Sequence, residues 1–99
     1  MATSKIAAAT FGQKTVTSAG TAEAVATAQV VNEVLLIALS TNTGRVYYGG
    51  SDVDSSTQEG LAAGASVTIT SRKPFDIGDL FIDVDTSGEG VDFVLQNAV

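Results

Sequence analysis

"EVLLIALSTNTGRVYYGG", Glu33 to Gly50, is the stretch on which the fold turns. Its first part is continuously apolar from Val34 to Leu39, as in a strand buried on both faces or central to a sandwich. "TNTG" at 41–44 reads as a tight turn, with Asn42 and Gly44 able to take positive φ. "RVYYGG" then reads as a strand, so residues 33–50 have the form of a β-hairpin.

Strand signals continue on both sides. "KTVTSAG" (14–20) alternates around Val16 and stops at Gly20. "TAEAVATAQ" (21–29) is rich in alanine but has no pair of helix caps, and it reads as a strand with small inward residues. A polar segment, "SDVDSSTQEGLAAG" (51–64), is punctuated by Gly60 and Gly64. "ASVTIT" (65–70) alternates cleanly, and the single proline, Pro74, marks a connection or a sheet edge. "DLFIDVDT" (79–86), the turn "SGEG" (87–90) and "VDFVLQNAV" (91–99) complete the series. About seven short strands with regular turn signals specify an all-β fold. The expected architecture is a single small antiparallel β-sandwich over 14–99, jelly-roll-like or immunoglobulin-like. Residues 1–13 lack periodicity and form an irregular N-terminal arm or tail, with Ile6 and Phe11 as its apolar anchors.

Composition narrows the function. The chain has 99 residues, enough for one domain, and contains neither cysteine nor histidine. Disulfides and the common zinc ligand sets are therefore excluded, as are the usual general base and the best nucleophile. Hydrophobic residues make up 44% of the chain but aromatics only 6%, so the core is thin and burial is expected to be completed at an oligomeric interface. The net charge of -6 argues against a nucleic-acid groove, which needs clustered Lys and Arg. No apolar run is long enough to cross a bilayer as a helix, and the apolar run in "MATSKIAAATFGQ" is too short and threonine-interrupted to read as a secretion signal, so synthesis in a cytoplasm is expected.

Candidate chemistry is sparse, and no catalytic, cofactor or metal residue is expected. Asp52 and Asp54 lie in an oxygen-rich loop, but their spacing does not match the twelve-residue calcium loop, and a solvated loop is the expected reading. Asp83 and Asp85 are expected on the solvated face of a strand, opposite Leu80, Ile82 and Val84. Gly49 and Gly50 precede no lysine and no helix, so they make no phosphate cradle. Adjacent on a strand, Tyr47 and Tyr48 must face opposite ways, one to core or interface and the other outward. Ile6, Phe11, Arg45, Tyr47, Tyr48, Asp52 and Asp54 are the candidates for a protein interface.

Three segments, "TNTGRVYYGGSDVD", "LAAGASVTI" and "DLFIDVDTSGEGVDFVL", resemble a pattern in small virion structural proteins of tailed bacteriophages. The likeness covers about residues 34–95, and its middle and last segments read as a strand and a second hairpin. It implies a non-enzymatic capsid decoration (cement) protein on the shell surface. Its partners would be the major capsid protein and further copies of itself, commonly as a homotrimer. In that setting an N-terminal arm could add a strand to a neighbour's sheet edge. The other readings are a tail, neck or fibre-associated virion protein, and a carbohydrate- or receptor-binding module using Tyr47 or Tyr48 with Asp52, Asp54 and Gln58.

Overall fold

Alternation of apolar and polar side chains, interrupted by loops rich in Gly, Ser and Asp, resolves into seven strands. A computed structural model describes residues 9–56 and 58–97. The strands are β1 (Ala9–Thr15), β2 (Glu23–Ala24), β3 (Val30–Ala38), β4 (Val46–Gly49), β5 (Ser66–Asp76), β6 (Phe81–Val84) and β7 (Gly90–Asn97). A 3₁₀ turn at Ile77–Asp79 joins β5 to β6. Four strands form one sheet in the order β1-β7-β3-β5, and three form a second in the order β2-β6-β4. Every pairing is antiparallel. A single bridge from Leu61 to Val46 adds the rudiment of a further strand beside β4.

Each of the seven strands in turn lies in the sheet opposite its predecessor. This is jelly-roll connectivity, not that of an immunoglobulin domain, in which several consecutive strands pair within one sheet. The expected all-β antiparallel sandwich forms, but residues 33–50 are not a hairpin, because β3 and β4 belong to different sheets. The reason is occupancy: β3 already has β5 on one edge and β7 on the other, so β4 has no edge to join. For the same reason 79–97 is not a hairpin, with β6 and β7 on opposite sheets. The 39–45 connection crosses the end of the sandwich, held by Leu39 N–H donating to the Gly90 carbonyl at 3.1 Å. Neither Asn42 nor Gly44 takes positive φ; among the described residues only Gly20, Gly60, Gly64 and Gly88 do.

The N-terminal boundary also moves. β1 pairs with β7 in unbroken register from Ala9–Gln96 to Thr15–Gly90, so residues 9–13 belong to the sandwich. Their inward positions carry no apolar signal. Gly12 lies under the Phe93 ring, where a Cβ would come within 2.5 Å of Cζ. Lys14 reaches across to Glu23 of the other sheet, with its Nζ 2.7 Å from the carboxylate. The strand expected at 14–20 therefore ends at Thr15, and the one expected at 21–29 shrinks to β2. β5 runs past Thr70 and through Pro74, on the outer edge of its sheet. Its register with β3 jumps from Glu33–Thr70 to Val31–Phe75, which lifts Ser71–Pro74 off the ladder and accommodates the missing proline N–H.

The core between the sheets is thin, as its composition requires. Leu36, Ile77, Ile82 and Leu95 are its largest fully buried apolar side chains, and valines at 16, 25, 31, 34, 46 and 91 supply much of the rest. Close approach replaces bulk: a Cβ on Gly90 would collide with the Lys14 carbonyl oxygen. That neighbour is backbone and cannot swing aside. Gly90→Ala is therefore expected to destabilise the fold at least as much as Leu36→Ala, for which about 2–5 kcal/mol is typical. Urea denaturation of the two variants checks the order, and an unchanged midpoint for Gly90→Ala would contradict the β1–β7 packing.

Candidate interaction surface

The carboxylates act first as loop braces. Glu89 accepts from Thr43 N–H at 2.8 Å, from the Thr43 hydroxyl at 2.9 Å and from Gly44 N–H at 3.1 Å. Buried Asn42 donates its amide to the Gly90 carbonyl at 2.9 Å. Asp85 accepts from Arg45 N–H at 3.1 Å and takes the Tyr47 hydroxyl on both oxygens at 3.0 Å. Asp76 receives Gln29 N–H and Gly78 N–H, and Glu23 receives Thr17 N–H. Five of these bonds, one each from Asn42, Gly44 and Arg45 and two from Thr43, pin the 41–45 segment to the 85–90 segment at one end of the sandwich.

Two expectations fail in this region. Asp83 does lie on the outer face of the three-stranded sheet, but it is only 2% exposed. The 17–21 loop folds over it, and Asp83 accepts Gly20 N–H at 2.9 Å and its neighbour Val84 N–H at 2.8 Å. Only Asp85 of the pair is solvated. Tyr47, the cross-strand partner of Asp83, is likewise buried on the outer face, where Gly60 passes against its ring. Gly60 has φ +81°, and a Cβ there would meet the Tyr47 ring at 2.7 Å. Tyr48 faces inward and packs half-buried against the core. Tyr47 is therefore covered from solvent, while Tyr48 stays partly exposed. Burial, and then the bond to Asp85, raise the Tyr47 hydroxyl above the usual phenol range.

The 50–61 loop closes on itself. Buried Val53 packs beside Gly49, and the Gln58 amide takes both polar groups of the Tyr48 backbone at 2.9 Å. Asp54 accepts the Ser56 N–H and hydroxyl, which hold its carboxyl below the usual aspartate range, the hydroxyl bond first. Asp52 is exposed, and Arg45, also exposed, reaches the Gly60 carbonyl at 3.4 Å. Tyr48, Gly49, Gly50, Asp52, Val53 and Gln58 line an open depression of about 190 Å³. That is below the roughly 300 Å³ at which small-molecule sites begin. Among the described residues no three acidic side chains converge as metal ligands.

The outer face of the four-stranded sheet is different. Paired residues share a face, so the register sets Phe11, Val94, Leu35 and Thr68 in one row across β1, β7, β3 and β5. Ile37 stands in the next row beside Asp92. Phe11 is 74% exposed, while Leu35, Ile37 and Val94 are half-buried. The margin is polar and internally paired: Gln13 donates to Asp92 at 3.1 Å and the Thr70 hydroxyl to Glu33 at 3.1 Å. An apolar centre inside a polar rim is the anatomy of a protein contact surface. Of the interface candidates, Phe11 lies here; Arg45, Tyr47, Tyr48, Asp52 and Asp54 lie on or beside the smaller sheet, and Ile6 falls outside the described residues. Leu35, Ile37 and Val94 were missed as candidates, although the unbroken run Val34–Leu39 already called for cover on both faces.

Comparison with known proteins yields no match: no family model, no curated protein and no solved structure is similar to the chain.

Two outcomes test the bracing. Tyr47→Phe should lower stability by about 1 kcal/mol, the usual worth of a buried hydroxyl bond, as read from urea unfolding. Glu89 titrates below the usual glutamate range because Thr43 N–H, and then Gly44 N–H, bond its charged form. A depressed folded-state pKa gives stability that is present above the unfolded value of about 4.3 and is lost as pH falls through the folded one. Glu89→Gln should lower the urea midpoint at pH 7, and the gap to the wild-type chain should narrow as pH falls below 4. An equal gap at both ends of that range would show that the Glu89 charge is not what matters.

Proposed function

We propose that the protein is a non-enzymatic structural component of a tailed-bacteriophage virion, a decoration protein that binds the assembled shell and stabilises it. One observation carries the reading: β3 has the apolar sequence of a strand covered on both sides. Yet no described element covers Leu35 and Ile37, and Phe11 and Val94 extend the same strip. Such a face suits a domain whose burial is completed on a particle. The resemblance of residues 34–95 to a pattern in small phage virion proteins points the same way. So does the absence of histidine and cysteine, together with carboxylates that hold loops instead of converging on a substrate. The glycan-binding reading draws on the depression beside Tyr48 and Asp52, but the Gln58 amide, its best donor and acceptor, is already committed to the backbone.

The test uses phage particles assembled with and without the chain. Particles lacking it should form but release their DNA at a lower temperature, and added full-length protein should co-sediment with them and restore heat resistance. Removal of residues 2–8 stops short of the seven paired residues of β1. That truncated chain should keep its melting temperature and lose co-sedimentation. Failure of the full-length protein to co-sediment with empty or filled shells would overturn the assignment. Cryo-electron microscopy showing it on the tail or neck would replace the shell with that location.

A further inference from the structure

The two edges of the four-stranded sheet are built in opposite ways. β5, on one side, carries the devices that block strand addition. Its ladder is broken at Ser71–Pro74, Pro74 removes a donor, and Arg72 and Lys73 are exposed. β1, on the other side, has neither a ladder break nor a proline, and its single charged residue is the inward-pointing Lys14. It holds regular register with β7 over all seven residues, and no described strand lies beyond it. Thr10, Phe11, Gln13 and Thr15 are exposed and uncharged. Its one charge, Lys14, is neutralised across the sheets by Glu23.

From this asymmetry we infer that β1 is a docking edge whose occupant is β1 of a second copy, paired antiparallel about a two-fold axis. A two-fold contact sets each residue against its own surface, so every unpaired charge at the contact meets its like. On a chain of net charge -6 that condition is restrictive, and β1 meets it. β5 does not: Arg72 and Lys73 would face Arg72 and Lys73. Gly12 is the middle residue of β1, and an axis through it pairs Ala9 with Thr15, Thr10 with Lys14 and Phe11 with Gln13 of the other copy. The two Phe11 rings then become diagonal neighbours on the outer face, about 7 Å apart between strands and within reach of aromatic side chains. The strip Phe11–Val94–Leu35 continues into its counterpart, and two four-stranded sheets become one of eight strands. Strand addition supplies main-chain hydrogen bonds, which the small apolar strip could not replace by area alone. The contact is independent of the virion reading, and it differs from the three-fold assembly that the phage resemblance implies.

Light scattering after gel filtration of the full chain separates the cases, since one copy has a mass of 10.0 kDa. A species at twice that mass is expected, with Phe11→Lys raising its dissociation constant at least about tenfold. Phe11 is 74% exposed, so this variant should match the wild-type melting temperature at concentrations where both are monomeric, which separates loss of pairing from loss of folding. The chain has no cysteine, so an introduced thiol reports alone. Treated with a short bis-maleimide, which spans the diagonal that a disulfide cannot, Phe11→Cys should cross-link into dimers, and Thr68→Cys, on the β5 side, should not. A monomer at 100 µM, on the order of the upper concentration practical for the method, would overturn the proposal by leaving β1 to another strand. A species at three times the monomer mass, or cross-linking by Thr68→Cys, would overturn it as well.

Discussion

Every strand in this chain passes to the opposite sheet from the one before it, so the amides at strand ends have no hairpin partner to accept them. A buried or half-buried N–H left unpaired is costly, and side-chain acceptors have to stand in. That constraint organises the loops. Glu89 takes the amides of Thr43 and Gly44, Asp85 that of Arg45, Asp83 that of Gly20, and Asp76 those of Gln29 and Gly78. Carboxylates serve better than neutral acceptors because a charged acceptor makes the stronger bond and offers several lone pairs. Five of the 11 acidic residues, Glu23, Asp76, Asp83, Asp85 and Glu89, accept amides of crossing segments in this way.

Where the sequence was legible, the side chains themselves carried the signal. The run Val34–Leu39 and the alternation in 79–86 and 90–97 mark β3, β6 and β7 because their inward residues are apolar and their turns are rich in glycine. β1 gives no such signal. Its inward positions are Gly12, which leaves room for the Phe93 ring, and Lys14, which reaches Glu23, while its one large apolar residue points to solvent. Alternation correctly put Asp83 opposite Ile82 and Val84 and set Tyr47 and Tyr48 on opposite faces, but it could not foretell that segments 17–21 and 58–61 would cover Asp83 and Tyr47. Periodicity reports the direction of a side chain, not what lies above it. Partner choice was hidden for a similar reason: "TNTG" looks like a hairpin turn until β5 and β7 fill both edges of β3.

The candidate surface was half visible. Phe11 stood out as an apolar residue outside any obvious pattern, and the continuous apolar character of β3 asked for two-sided cover. Register joins them: Phe11 opposite Val94, and Val94 opposite Leu35, make one strip from three distant parts of the chain. Nothing local in the sequence links residue 11 to residue 94. The tyrosines were the more conspicuous candidates, yet both are taken up in packing, Tyr47 beneath the 58–61 segment and Tyr48 against the core.

The register of β1 with β7 has a mechanical side. Ala9 lies opposite Gln96, so the chain enters and leaves the sheet at the same end, on neighbouring strands. Tension applied between those two points would meet the Ala9–Gln96 pair first and then each pair in turn toward Thr15–Gly90. The bonds would fail in sequence, as in a zipper, and a small force would suffice. A pull along the strands, delivered through a partner lying beside β1, would instead strain all seven pairs together. The same ladder is thus weak to a tug on its own ends and stiff to shear from a neighbour.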